Sequence, residues 1–147
     1  MNHPLHPALV HFPIACWSLA TAADAVSLFW GEPAWKFAGL LLAIGAVAAI
    51  ATMLAGFVEL IKVDADSPAM RIANRHMLLA VTAWSCYAAS LFLRLDGTSL
   101  REPGPLAFGL SALGFAALCV TGWLGGTLVY EHGVGTRENA LRNTETR

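Results

Sequence analysis

The sequence predicts an all-α membrane protein, a bundle of four transmembrane helices, and three observations predict it. The 147 residues are 56% hydrophobic and only 13% charged, whereas soluble domains run about 45–50% apolar and about 25% charged. Residues 37–58, 76–93 and 103–130 contain no Lys, Arg, Asp or Glu at all, and a fourth apolar run, about 9–30, carries a single acid, Asp24. A hydrocarbon core about 30 Å thick is crossed by about 20 helical residues, so each run is long enough to span. A soluble globular domain is excluded.

The first span is read as 9–30, closed by Gly31-Glu32-Pro33. Its Ala20-Thr21-Ala22-Ala23 stretch resembles a signal cleavage site, but nothing before Lys36 is Lys or Arg, so the helix is read as retained. The second span, 37–61, is rich in small residues (Gly39, Gly45, Ala49, Gly56) and ends at the turn Asp64-Ala65-Asp66-Ser67-Pro68. The third, 76–94, opens at His76 and is only just long enough. Asp96-Gly97 and Pro103-Gly104-Pro105 bracket the next loop, and the fourth span covers 105–130, again with many glycines. Small residues at these positions favour close helix contacts in lipid, which also suits a homo-oligomer. Residues 1–135 form one transmembrane domain, the polar segment 136–147 reads as a disordered tail, and no internal repeat stands out.

With four spans, both termini share one side with the loop between helices two and three. That side carries Lys62, Arg71, Arg75, Arg137, Arg142 and Arg147 against Lys36, Arg94 and Arg101 opposite, which places both termini in the cytoplasm. Cys16, Cys86 and Cys119 all fall inside spans without CxxC spacing, so neither a disulfide framework nor a zinc knuckle is suggested. A net charge of −1 gives no electrostatic case for a nucleic-acid partner.

The histidines are the most informative feature. His3, His6 and His11 precede or open helix one, His76 opens helix three and His132 follows helix four, so all converge on the cytoplasmic end, where Glu59 also ends helix two. The bland reading is a set of polar residues among lipid headgroups. Two chemistries compete with it. Imidazoles from facing helices can hold the iron of haem b axially, with His11 and either His76 or His132 as ligands, His6 as a further candidate, and Gly122, Gly126 and Phe12 against the porphyrin. Alternatively, His6 or His11 with Glu59, His76 and His132 could hold a non-haem Zn, Fe or Cu ion. His6 and His11 stand about 140° apart around an ideal helix, so they do not share one ion unless Pro7 or Pro13 distorts that turn. Asp24 lies about 20 Å further along the axis than His11, and Arg94 can reach it from helix three as an interhelical pair.

The stretches His6-Pro7-Ala8-Leu9-Val10-His11-Phe12-Pro13-Ile14 and Gly125-Gly126-Thr127-Leu128-Val129-Tyr130-Glu131-His132-Gly133-Val134-Gly135 resemble a bacterial inner-membrane family known as a domain of unknown function, marked by HPxxVHFPI and GGxLVYxHGxG. The likeness extends over essentially the whole chain, with Glu59 where the family pattern has Asp. Relatives of this kind sometimes carry a Rieske-type iron–sulfur domain, so the resemblance implies redox chemistry in the membrane. No CxxCH motif is present here, so any haem would be non-covalent and b-type.

The leading expectation is therefore a haem-binding electron-transfer protein of the lipid bilayer, working with a quinone or a redox protein. A non-haem metal protein and a cofactor-free accessory subunit are the alternatives.

Overall fold

The computed structural model describes residues 5–135. Among the described residues the regular structure is helical, apart from one short hairpin. A short helix α1 (Leu5–Leu9) runs into α2 (His11–Trp30), followed by α3 (Glu32–Leu60), α4 (Pro68–Phe92) and α5 (Pro105–Tyr130). Strands β1 (Leu95–Asp96) and β2 (Ser99–Leu100) pair antiparallel in the α4–α5 connection, Leu95 opposite Leu100 and Asp96 opposite Ser99. His3 and the polar tail 136–147 lie outside the described residues.

Each boundary has a local cause. Pro13 has no N–H for the carbonyl of Leu9, so the ladder is interrupted near Val10, and that break separates α1 from α2. Gly31 takes the left-handed φ of 64° that lets α2 turn into α3 across a single residue. Ser67 caps α4, its hydroxyl accepting from the Met70 N–H at 3.3 Å, with Pro68 in the first turn.

Two helices begin before the expected spans. The second helix begins at Glu32 rather than 37, and the third at Pro68 rather than 76, with ends at Leu60 and Phe92 rather than 61 and 94. A charge-free run marks the part of a helix facing hydrocarbon, whereas the backbone continues helical through Lys36, Arg71 and Arg75 until a capping residue stops it. His76 therefore lies more than two turns inside α4.

The helices form two antiparallel hairpins, with α2 against α3 and α4 against α5, joined through α3–α4 and α2–α5 contacts. Small residues dominate the interior: Ala20, Ala38, Ala83, Ser90, Ala107 and Ser111 are all essentially inaccessible. Large apolar residues point outward instead, with Phe29 90% and Val47 71% exposed. Such an apolar exterior around a small-residue interior suits hydrocarbon surroundings, where close backbone approach replaces hydrophobic collapse. Three helical stretches, Leu5–Trp30, Glu32–Leu60 and Pro105–Tyr130, are long and apolar enough to cross a membrane. The protein is an all-α membrane protein.

Trp17 and Tyr87 stack at the centre of the bundle, ring centres 4.7 Å apart and planes at 21°. Trp17 is seated on Gly45, where an added Cβ would approach its indole to 2.5 Å. Gly45→Ala is therefore expected to cost about 1–3 kcal/mol by overpacking, read as a lowered melting temperature in detergent. At Gly39 a Cβ meets only the flexible end of Leu100, and Gly39→Ala should be milder.

Candidate functional site

At the end of the bundle where α1 begins and α5 finishes, two histidines meet. The rings of His6 (α1) and His76 (α4) lie 6.2 Å apart, edge on, at 77°. Each is held in the same way by the partner helix of its own hairpin. His6 Nδ1 lies 2.9 Å from the carbonyl oxygen of Thr52 in α3, and His76 Nδ1 lies 2.9 Å from that of Thr121 in α5.

A carbonyl oxygen only accepts, so each Nδ1 carries a proton and donates it. In the neutral ring this leaves Nε2 as the basic nitrogen. Orienting a ring through Nδ1 and a backbone carbonyl is the usual support for an imidazole that ligates through Nε2.

The helices approach closely enough for these bonds because both rings rest on glycines. A Cβ at Gly56 would stand 2.8 Å from His6 Nδ1, and one at Gly125 would stand 3.3 Å from His76 Cε1. The two threonines also match: Thr52 Oγ1 donates to the Ala48 carbonyl at 2.9 Å and Thr121 Oγ1 to the Ala117 carbonyl at 2.7 Å. Glu59 in α3 closes the site, its carboxylate accepting the His6 backbone N–H at 3.4 Å.

The other expected site residues are placed differently. His11, expected as a first ligand, starts α2 on an exposed face, because helical dihedrals and hydrogen bonds continue through Val10 and five residues of helix turn it about 140° away from the inward-facing His6. Phe12 is 63% exposed, and a Cβ at Gly122 would meet nothing, so neither stands against the paired rings. His132 is half-buried in the turn after α5, which Gly133 forms with a φ of 63°. Among the described residues, no group of three or more His, Cys, Asp or Glu side chains has an arrangement that could hold a metal ion.

In the opposite half of the bundle, Arg94 and Asp24 form a buried bidentate pair, Nη1 to Oδ1 at 2.6 Å and Nη2 to Oδ2 at 2.7 Å. Nη2 also donates to the hydroxyls of Ser90 and Ser111, at 3.0 and 3.1 Å. Between the two polar ends, Thr21 and Tyr87 share a hydroxyl contact of 2.9 Å above the aromatic stack.

The sequence reading overlooked Thr52 and Thr121, and took Gly56 and Gly125 for helix-packing residues without linking them to the histidines. Their signal was the Thr-x3-Gly spacing carried by both α3 and α5, which puts the two residues on one helix face.

A family model described as Predicted membrane protein (DUF2231) matches residues 2–138, nearly the whole chain. The chain belongs to that family. Neither a curated protein nor a solved structure matches this DUF2231 member.

Proposed function

We propose that this is a four-span protein of the bacterial inner membrane that binds haem b through His6 and His76 and passes electrons between a membrane carrier, such as a quinone, and a redox partner. The observation that carries the reading is the pair of imidazoles, one from each hairpin, with both Nδ1 atoms committed to carbonyls and both Nε2 atoms left basic.

The donor set favours haem over a bare ion. Haem iron takes four nitrogens from the porphyrin and asks two axial ligands of the protein, whereas zinc and its relatives ask about four protein or water donors. When bound, the haem would supply a reversible one-electron couple. Thr52 and Thr121 would fix the two rings, and Glu59 would hold the α1 backbone beside α3.

The fourth span is α4, whose 25 residues suffice for the bilayer and whose Arg71 and Arg75 stay at its exposed start. Lys62 joins them on that side, which is the cytoplasmic side in the positive-inside orientation and carries both termini.

The test is an absorption spectrum of detergent-purified protein reconstituted with haem, before and after dithionite, with elemental analysis of the same sample. A Soret band that shifts on reduction, with sharpened α and β bands, is expected. Stoichiometric zinc, copper or non-haem iron without a Soret band would replace this reading with the non-haem metal site. Absence of both would leave an accessory subunit.

A further inference from the structure

Residues that meet across the bundle are spaced regularly along the chain. His6 meets His76, Trp17 stacks on Tyr87 and Asp24 pairs with Arg94, and the members of each pair are seventy positions apart. Cys16 and Cys86 stand at the same interval.

The second helices of the hairpins repeat as well. Gly45, Thr52 and Gly56 in α3 recur sixty-nine positions later as Gly114, Thr121 and Gly125 in α5. The matched residues do the same work. Trp17 sits on Gly45 as Tyr87 sits on Gly114, and His6 sits on Gly56 as His76 sits on Gly125. The Cβ atoms of Cys16 and Cys86 lie 3.2 and 3.3 Å from the Cβ positions of Gly45 and Gly114.

We propose that the chain is two copies of one helical hairpin, 5–60 and 68–130, related by a pseudo-two-fold axis along the membrane normal, and that the histidine site lies on this axis. Both hairpins run in the same direction, as parallel membrane repeats do. Residues that meet their own counterparts are the signature of such an axis, since only positions near it can touch their symmetry mates. Thr52 with Gly56 and Thr121 with Gly125 are then equivalent positioning residues, one set for each imidazole, and a group bound between the histidines is held alike by both halves. The ligand in that last statement rests on the haem reading above, whereas the duplication stands without it.

The axis also explains where the halves differ. Asp24 and Arg94 occupy equivalent positions with opposite charges, so the pair closes only between unlike hairpins. Ser90 and Ser111, which support Arg94, correspond to Ala20 and Leu42 in the first hairpin.

The sequence alone reads without a repeat because few matched positions are identical and the interval slips by one residue between first and second helices. Exposed apolar positions add nothing to the match, because any apolar residue serves where a helix faces lipid.

The test exchanges the halves' contents. Asp24→Arg alone and Arg94→Asp alone place like charges together and should prevent accumulation of folded protein. The double exchange Asp24→Arg with Arg94→Asp should restore a cooperative melt in detergent. Adding Ala20→Ser to the double exchange should raise the melting temperature by several degrees, roughly the effect of one hydrogen bond, while Ala20→Ser in the natural chain should give no such gain.

A circular permutant running from Ser67 to Gly135 and on through residues 2–66 is the second variant. It should insert and melt cooperatively, since its new junction is the counterpart of the α3–α4 connection. An aggregated permutant, together with no gain from Ala20→Ser in the exchanged chain, overturns the proposal. These readouts need no haem, so a featureless spectrum would remove the haem reading and leave the duplication to be judged by the melts.

Discussion

Arg94→Ala should lower the stability of the protein by about 3–5 kcal/mol, the range for removing one partner of a buried ion pair. Arg94 is inaccessible, and Asp24 is nearly so. Both carboxylate oxygens are engaged by the guanidinium, so without it the Asp24 carboxylate would be left uncompensated among helices that face hydrocarbon. Ser90 and Ser111 still bond to one another, 2.9 Å apart, but neither reaches across to replace the charge.

The measurement is the melting temperature and yield of folded protein in a mild detergent. Asp24→Asn combined with Arg94→Leu should recover much of the loss, because no unpaired charge remains and the apolar side chain refills the volume. If the single and double variants were equally damaged, packing rather than charge would govern this layer.

The second large effect is expected at the histidine pair. His6→Ala and His76→Ala should each abolish haem binding or convert the spectrum to one with a single axial ligand, because a bis-imidazole site loses half its protein donors with either change. His11→Ala should leave the spectrum unchanged, since His11 faces outward at the start of α2. Gly56→Ala should shift the spectrum without removing it, as a Cβ there would stand 2.8 Å from His6 Nδ1 and displace the ring. Equal loss on His6→Ala and His76→Ala would also match the equivalence of the two halves. Retention of the full spectrum in both alanine variants would eliminate this pair as the site.

Much of the molecule can be read from the sequence, and the limits are local. Apolar runs identify α2, α3 and α5 because length and lack of charge are the properties hydrocarbon selects. They leave out the first two turns of α4, since Arg71 and Arg75 interrupt the apolar run without interrupting the helix. The pair Ser67-Pro68 carried the true boundary as a cap followed by a first-turn proline. Convergence of His6, His11, His76 and His132 on one end followed from counting spans. Choosing His6 over His11 did not, because the spacing says only that the two stand on different faces, and which face turns inward is set by the packing of α1 against α3.

The sequence by itself determined that the chain is a helical membrane protein, which end collects the histidines, and that one acid lies within an apolar span while a base stands at the end of another. Those are properties of composition and order along the chain. Only the tertiary structure decided which histidines meet, that each rests on a glycine and bonds to a threonine carbonyl, that Trp17 stacks on Tyr87, and that the two hairpins repeat one plan. These depend on the packing of helices far apart in sequence, where a few small residues set how closely backbones approach. Lipid-facing positions accept almost any apolar side chain, so the repeat survives in the contacts and is nearly erased from the letters.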